Sequence, residues 1–328
     1  MKALVTGGGG FLGSRICALL HEAGHEVLAV GRQEYPQLQA QGIACARADV
    51  RDAAAIERLS RGCGVVFHAA ALAGIWGRAR DFREINVQGT RHVLEACRRQ
   101  GVRCLVYTSS PSVVFGRDDL CGVDESVPYA ARYSAHYPAS KARAERLVLE
   151  AHCPALRTLA LRPHLIWGPG DPHLIPRVIE RARAGRLRQV GDGRNRVDIV
   201  YIDNAAQAHV QAAEALAGSP DCGGRPYFIS QGEPVLLWSW INELLGRLGI
   251  PRVTRRVSYA CARRAGAALE WGYRLLRLPG EPPMTRFLAD QLARSHYFDI
   301  TAARRLLGYT PAVSTAQGLE RLVASLRE

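Results

Sequence analysis

Lysine is nearly absent from this 328-residue sequence: of 43 lysines and arginines, only Lys2 and Lys141 are lysine. Arginine keeps its charge in proteins and its planar fork suits carboxylates and phosphates. A lysine at position 141 therefore marks a place where a compact, flexibly tethered ammonium is required. Paired cysteines are missing as well. The nine cysteines are odd in number and scattered without a CxxC, which excludes a disulfide framework and a zinc ribbon and fits reduced thiols in the cytoplasm. No metal site is expected. No stretch reaches the ~18 unbroken apolar residues of a membrane span, and Met1-Lys2 leads straight into an apolar segment with no signal-peptide profile. Internal repeats and long linkers are absent too, so the chain is expected to pack as one unit.

What is present is ordinary for a globular protein, with 48% hydrophobic and 22% charged residues. The formal charge of +13 invites an anionic partner, but the arginines are dispersed and no nucleic-acid-binding motif accompanies them. The expected partners are an anionic cofactor, a small-molecule substrate or an acidic surface, and not nucleic acid.

Residues 2–6 form a short apolar run, followed by four glycines and then helical spacing from Phe11 to Ala23. Gly7, Gly10 and Gly13 lie in a G-x-x-G-x-x-G pattern between strand and helix, the arrangement that lets backbone amides approach a pyrophosphate at a helix N-terminus. The next strand, 26–30, ends in Gly31-Arg32. An acidic residue there would accept hydrogen bonds from a ribose 2′-hydroxyl, whereas Arg32 pairs with a 2′-phosphate. Arg32, with Arg15 as a second candidate, points to NADP(H); Glu34 is the contrary signal. Strands then alternate with helices: 42–48 closing on Asp49-Val50, a helix at 52–61, 65–68 running into Ala69-Ala70-Ala71, a helix from 81 to 100 holding Asn86, and 103–108. This alternation demands a doubly wound, mainly parallel α/β sheet. Asp49 is placed to contact an adenine, and His68, with no base partner nearby, is expected to be structural.

Strand 103–108 ends in Thr108-Ser109-Ser110, hydroxyls facing the ligand crevice of such a sheet. Ser110, with Ser109 as alternative, is placed to hydrogen-bond a substrate carbonyl; no Gly-x-Ser-x-Gly accompanies them, which argues against an esterase. Tyr137 and Lys141 lie four residues apart in a segment expected to be helical to about residue 152, one above the other on the same face. An ammonium beside a phenol stabilises the phenolate and draws its pKa down from ~10, so that the tyrosine can exchange a proton with a carbonyl oxygen near neutral pH.

Beyond Lys141, a strand at 156–161 leads through Pro163 to Asp171, and the strand 197–202 closes on Asp203, expected to N-cap a helix to residue 216. The dinucleotide-binding domain is assigned to 1–163, completed by about 190–217, and 164–328 mostly to a smaller substrate-binding lobe. In the expected helix 258–278, Arg263, Glu270, Arg274 and Arg277 share one face, and Cys261, Ala265, Ala268, Gly272 and Leu276 the other. Two readings stay open: a pocket cover with its polar side to water, or an arginine face meeting an acidic membrane or a partner enzyme.

Taken together, Thr6-Gly7-x-x-Gly10-x-x-Gly13, Asp49, the alanines after His68, Asn86, Ser110 and Tyr137-x-x-x-Lys141 resemble an extended short-chain dehydrogenase/reductase over nearly the whole chain. The segments 107–113 and 161–171 resemble its 3β-hydroxysteroid dehydrogenase branch. Ile166 to Asp171, Tyr201 to Asn204 and Gly280 to Ala289 are similar to the subgroup that reduces 2-alkyl-3-oxoalkanoates in bacterial long-chain olefin synthesis. The resemblance implies a Rossmann domain with a smaller C-terminal substrate lobe, in a cytoplasmic homo-oligomer. Tyr137, Lys141 and Ser110 are the implied catalytic residues. The implied NADP(H) site comprises Gly7, Gly10, Phe11, Leu12, Gly13, Arg32, Asp49, Val50, Ala69, Ala70, Asn86, Lys141 and Pro163. The implied reaction is NADPH-dependent reduction of the 3-keto group of a long-chain β-keto acid, with a 3β-hydroxysteroid or sterol dehydrogenase as the alternative. Nucleotide-sugar epimerases and dehydratases of the same family carry an Asn where this chain has Leu165 and an Arg where it has Val197. Apolar residues there would leave a buried diphosphate without donors and suit an alkyl chain, at about 0.8 kcal/mol per buried methylene; Arg196 beside the second position is the one contrary residue.

Overall fold

The structure, a computed structural model, describes residues 1–327. Seven strands, β1 (Lys2–Thr6), β2 (Glu26–Gly31), β3 (Ala44–Arg47), β4 (Val65–His68), β5 (Cys104–Thr108), β6 (Arg157–Pro163) and β7 (Pro226–Ile229), form one sheet. Their order is β7-β6-β5-β4-β1-β2-β3, and every neighbouring pair is parallel. Helices cover both faces of such a sheet, so its strands are apolar along their length and not alternating. Leu4, Val66, Phe67, Leu105 and Leu159 are accordingly buried completely.

From β1 the chain winds outward to β3, then returns to place β4 on the other side of β1. That reversal opens a crevice beyond the C-terminal ends of β1 and β4, where such folds bind ligands. Gly7 stands at this point with φ 71°, and its amide donates to the Val30 carbonyl at 2.7 Å. A Cβ on Gly7 would lie 2.8 Å from the Ala70 nitrogen, and one on Gly13 only 2.1 Å from the Gly7 oxygen. The glycines are thus dictated by the close approach of β1, β4 and the helix Phe11–Glu22.

The lobes interlace. β7 joins the first sheet from beyond the 190–217 segment, and the helix Ile202–Gly218 packs on Phe11–Glu22, β5 and β6. Conversely, Leu120–Val123 leaves the N-terminal half to pair with His296–Phe298 in a second sheet that also contains Arg196–Val197 and Val235–Leu236. His164, just past β6, meets His296 of that sheet at 2.6 Å, and both rings pack against Phe115. Burial holds His296 down at about 4 and His164 well below the usual histidine range, so the pair is neutral at pH 7. The expected helix 81–100 is a continuous path from Ala79 to Gln100 containing a π-turn at Arg83–Gln88. All nine cysteines are free thiols. Among the described residues no helix is long and apolar enough to cross a membrane.

Asp203 does not cap its helix. It lies in the first turn, and its carboxylate pairs with Arg15 and Arg321. The neighbouring Asn204 is a clamp: its amide nitrogen donates to Gln231 Oε1 and the Val313 carbonyl, both at 2.7 Å, and its oxygen accepts from the amides of Ala312 and Val313, both at 3.0 Å. These bonds tie the C-terminal segment to the helix Ile202–Gly218 and to Gln231, two residues past β7, and buried amides left unpaired are costly. Asn204→Ala should lower the unfolding free energy by about 3 kcal/mol, measured by chemical denaturation; a loss below ~1 kcal/mol would show that the clamp contributes little.

Candidate active site

Tyr137 is the second residue of the helix His136–Glu150, which packs on β6 and on the turn Pro111–Val114 and reaches the end of β5 through Lys141 and the Thr108 carbonyl. Ser110 follows β5 and N-caps the short turn Pro111–Val114. Its hydroxyl lies 2.9 Å from Ser112 Oγ and faces the Tyr137 phenol closely enough to oppose the rise in its pKa. Ser109, the alternative, is buried with its hydroxyl unpartnered, and of the two serines only Ser110 acts on the pKa of the tyrosine. Lys141 is 2% exposed. Its ammonium donates to the Thr108 carbonyl and lies 4.2 Å from the centre of the Tyr107 ring.

The electrostatics differ from expectation. Burial raises the Tyr137 phenol above its ordinary pKa, and the neighbouring Ser110 hydroxyl only partly offsets this. The ammonium that was expected to lower it is turned to Thr108 and Tyr107. Burial also drives Lys141 down to about 7, against the opposing pull of Glu145. Desolvation disfavours the charged form of each group, raising the phenol and lowering the ammonium, so the two pKa values move apart.

Glu145 is the residue that local spacing did not single out. It lies one helical turn beyond Lys141 and is fully buried. It accepts from Arg162 of β6 at 2.6 and 3.0 Å and from the Tyr129 hydroxyl at 2.7 Å. Arg162 is 2% exposed, so each charge has the partner that burial demands. The run Lys141-x-x-x-Glu145 was the available signal, but its partners come from 17 and 16 residues away. His68 is closed between Thr6 Oγ1 at 2.7 Å and Thr90 Oγ1 at 2.9 Å. Burial first, and the charge of Lys141 second, push it to about 3.

Of the thirteen residues assigned to the cofactor, Gly7, Gly10, Arg32, Asp49, Val50, Ala69 and Ala70 line one cavity of about 240 Å³ over the ends of β1, β2 and β4. Phe11 faces an adjoining cleft, while Leu12 and Gly13 are buried in the helix after the glycine turn. Pro163 ends β6. Asn86 is buried and holds the strand-end loop: it accepts from the Leu72 amide at 2.7 Å and donates to the Leu72 carbonyl and to Ser140 Oγ. The Asp49 carboxylate is engaged by Arg51 through two side-chain bonds and one backbone bond. Arg32 is exposed at the rim and, among the described residues, forms no ion pair. Arg15, the second candidate, is committed to Asp203 at 2.7 Å and to Glu22. Glu34 faces the adjoining cleft and not this one. Tyr35 was not anticipated: its ring occupies the space a Cβ on Gly9 or Gly31 would need. The close backbone approach at Gly7 and Gly10, with Arg32 and Asp49 in the same lining, suits a dinucleotide.

A second cavity, about 540 Å³, reaches Ser134, Ala135 and His136, immediately before Tyr137. Its walls combine Ile75, Trp76, Tyr273, Leu278 and Phe287 with Arg78, Arg274 and Arg277. Val197, expected beside an alkyl chain, is instead completely buried in the second sheet between Val235 and His296. Leu165 is partly buried with φ 44°, and neither residue lines this cavity.

One wall is the helix Tyr259–Leu275, whose expected polar face is only partly turned to water: Arg274 and Arg277 are exposed, whereas Glu270 is packed inward. Ala262, Gly266 and Glu270, spaced four apart, form its packed stripe. A Cβ on Gly266 would lie 2.6 Å from the Thr285 backbone. Glu270, 3% exposed, accepts from the Arg286 amide at 2.7 Å and from its guanidinium at 2.7 and 2.9 Å. This ion pair draws the Glu270 side inward and leaves Cys261, Ala265, Ala268 and Leu276 exposed.

A sequence profile described as the 3-beta hydroxysteroid dehydrogenase/isomerase family matches residues 4–258. A 2-alkyl-3-oxoalkanoate reductase of Stenotrophomonas maltophilia is 51% identical over 328 residues, covering 99% of each chain. A protein of that name from Shewanella oneidensis is 47% identical over 99% of this chain and 86% of its own. A mouse sterol-4-alpha-carboxylate 3-dehydrogenase, decarboxylating, is 32% identical over 99% and 90%. Among solved structures, MoeE5 in complex with UDP-glucose and NAD superposes with a TM-score of 0.75 at 27% identity, covering 100% of this chain and 99% of that one.

Glu145→Gln keeps the volume and removes the charge. Without that charge the pKa of Lys141 falls, so the alkaline limb of dinucleotide-dependent turnover should move to lower pH, while the unpaired Arg162 lowers stability by about 3 kcal/mol. The folded pKa of Lys141, about 7, lies below its ordinary 10.5. Its contribution to stability therefore grows as pH rises between those values. A pH–rate profile that does not move would contradict the coupling.

Proposed function

The chain belongs to the 3-beta hydroxysteroid dehydrogenase/isomerase family, and on that premise we propose that it is an NADPH-dependent ketoreductase. Its substrate is a 2-alkyl-3-oxoalkanoate, whose 3-keto group it reduces to the 3-hydroxy acid. The observation that carries this reading is the meeting of Tyr137, Ser110 and Lys141 at the end of β5, beside a cavity walled by apolar side chains and arginines. Its support among relatives is 51% identity to a reductase of that name, against 32% to a sterol dehydrogenase.

A bound NADPH would supply the hydride. Everything else falls to the side chains. Ser110 hydrogen-bonds the carbonyl oxygen and so polarises the carbon that is attacked. Tyr137 gives its proton to the oxygen as negative charge develops there; a phenol lifted by burial holds its proton at neutral pH and is suited to the reductive direction. Lys141 stands one helical turn behind Tyr137 with its charge balanced by Glu145; on turning from the Thr108 carbonyl it would contact the cofactor ribose and stabilise the phenolate left behind. Trp76, Tyr273 and Phe287 exclude water from the alkyl chain, and the neighbouring arginines offset the substrate carboxylate. NADPH is preferred over NADH because Arg32 stands uncompensated at the rim of the dinucleotide cavity, where a 2′-phosphate would accept its hydrogen bonds.

Oxidation of NADPH should be fast with 2-alkyl-3-oxoalkanoates and slow with 3-ketosteroids or UDP-sugars; the reverse order would assign the chain to another activity. Tyr137→Phe should abolish turnover, by about 10³-fold or more, while NADPH still binds as judged by fluorescence. Turnover within tenfold of wild type would reject Tyr137 as the proton donor. Arg32→Glu should reduce the preference for NADPH over NADH by about 100-fold, and an unchanged ratio would remove Arg32 from the cofactor site.

A further inference from the structure

Seven large apolar side chains are strongly exposed among the described residues, and four of them, Trp271, Leu275, Leu276 and Leu278, fall in one short stretch. Trp271 is 68%, Leu275 61% and Leu276 67% exposed. Arg264, Ala268, Trp271 and Leu275 follow at i, i+4, i+7 and i+11, so they share the side of the helix Tyr259–Leu275 that faces away from its packed stripe. Isolated exposed leucines are ordinary, but a cluster of this kind marks a contact surface.

The charge around the cluster is of one sign. Arg264, Arg274 and Arg277 are exposed and, among the described residues, form no ion pair. The nearby carboxylates are already engaged: Glu270 by Arg286, Asp290 by Arg263, and Glu281 by Arg177. Arg264 on the same face as Trp271 and Leu275, with Arg274 and Arg277 exposed at the adjoining cavity wall, in a chain of net charge +13, matches the chemistry of an anionic bilayer surface. There the guanidinium groups meet headgroup phosphates and the apolar side chains enter the acyl boundary.

The inner side of the same helix contributes Tyr273 and Arg274 to the wall of the 540 Å³ cavity that reaches the residues before Tyr137. We infer that the outer face of Tyr259–Leu275, with the loop that follows it, docks the enzyme on an anionic lipid surface and sets the cavity against the bilayer from which a long-chain substrate is taken. The delivery role rests on the ketoreductase reading; the docking surface does not. A substrate with two alkyl chains partitions into lipid, so a cavity wall that also touches the membrane removes the passage through water.

Sedimentation of the full-length chain with vesicles tests this, using phosphatidylcholine alone and phosphatidylcholine mixed with phosphatidylglycerol. Wild type should pellet with the mixed vesicles and be released by high salt. The triple variant Trp271→Ser, Leu275→Ser, Leu276→Ser should bind at least about tenfold more weakly, with unchanged NADPH oxidation on a short, water-soluble β-keto acid. Wild type that stays in solution with both vesicle types, as a face built for a protein partner would leave it, overturns the proposal, as does equal pelleting of variant and wild type. A wild-type dimer that the variant converts to monomer would assign the face to a second copy and also overturn it. Vesicle binding by a chain inactive on ketones counts for the surface and against the activity, whereas an active reductase that never pellets refutes the surface alone.

Discussion

A single buried ammonium organises the centre of this molecule. Lys141 lies on the helix His136–Glu150, its charge resting on the Thr108 carbonyl and the Tyr107 ring. A cation there is tolerable only with a counter-charge close by, and Glu145 provides it one turn along the helix. Glu145 is held in turn by Arg162 and Tyr129. The group of charges spans a helix, two adjacent strands and the loop before that helix, so the chemistry of the site and the docking of the helix on the sheet depend on the same contacts. The balance also places Lys141 near neutrality, where a gain or loss of its proton is accessible at working pH.

The sheet explains why ligand and catalytic groups meet. Reversal of strand order between β1 and β4 opens the crevice, and Gly7 and Gly13 let backbone approach backbone at its floor. β5, beside β4, brings Thr108, Ser109 and Ser110 to the same end. The second lobe then closes over that end by exchanging strands with the first, so that the cavity beside Tyr137 is walled by segments as distant in sequence as Trp76, Tyr273 and Phe287.

Features written in local spacing were legible before any coordinates: the glycine turn, the alternation of strands and helices, the tyrosine and lysine four residues apart, and the rarity of lysine. Features that depend on distant partners were not. Arg15 stands beside the glycine loop in sequence, but Asp203 takes its guanidinium. Val197 was expected beside an alkyl chain, yet it is core, paired with Val235 and His296 from far along the chain. The helix at 259–275 misled for a related reason: Glu270 looks like a solvent-facing charge until Arg286 is known to reach it, and the small residues Ala262 and Gly266 mark the packed side more faithfully than polarity does.

The scarcity of lysine supplies the decisive measurement. A chain labelled with [15N]lysine has two side-chain amine signals, and Lys2→Arg assigns them. With the fold intact, the Lys141 signal should titrate with a midpoint at about 7 and lose that midpoint to a lower value in Glu145→Gln. If Lys141 titrates at ~10 or above, as an amine in water does, it is not a buried cation balanced by Glu145, and the central claim is wrong.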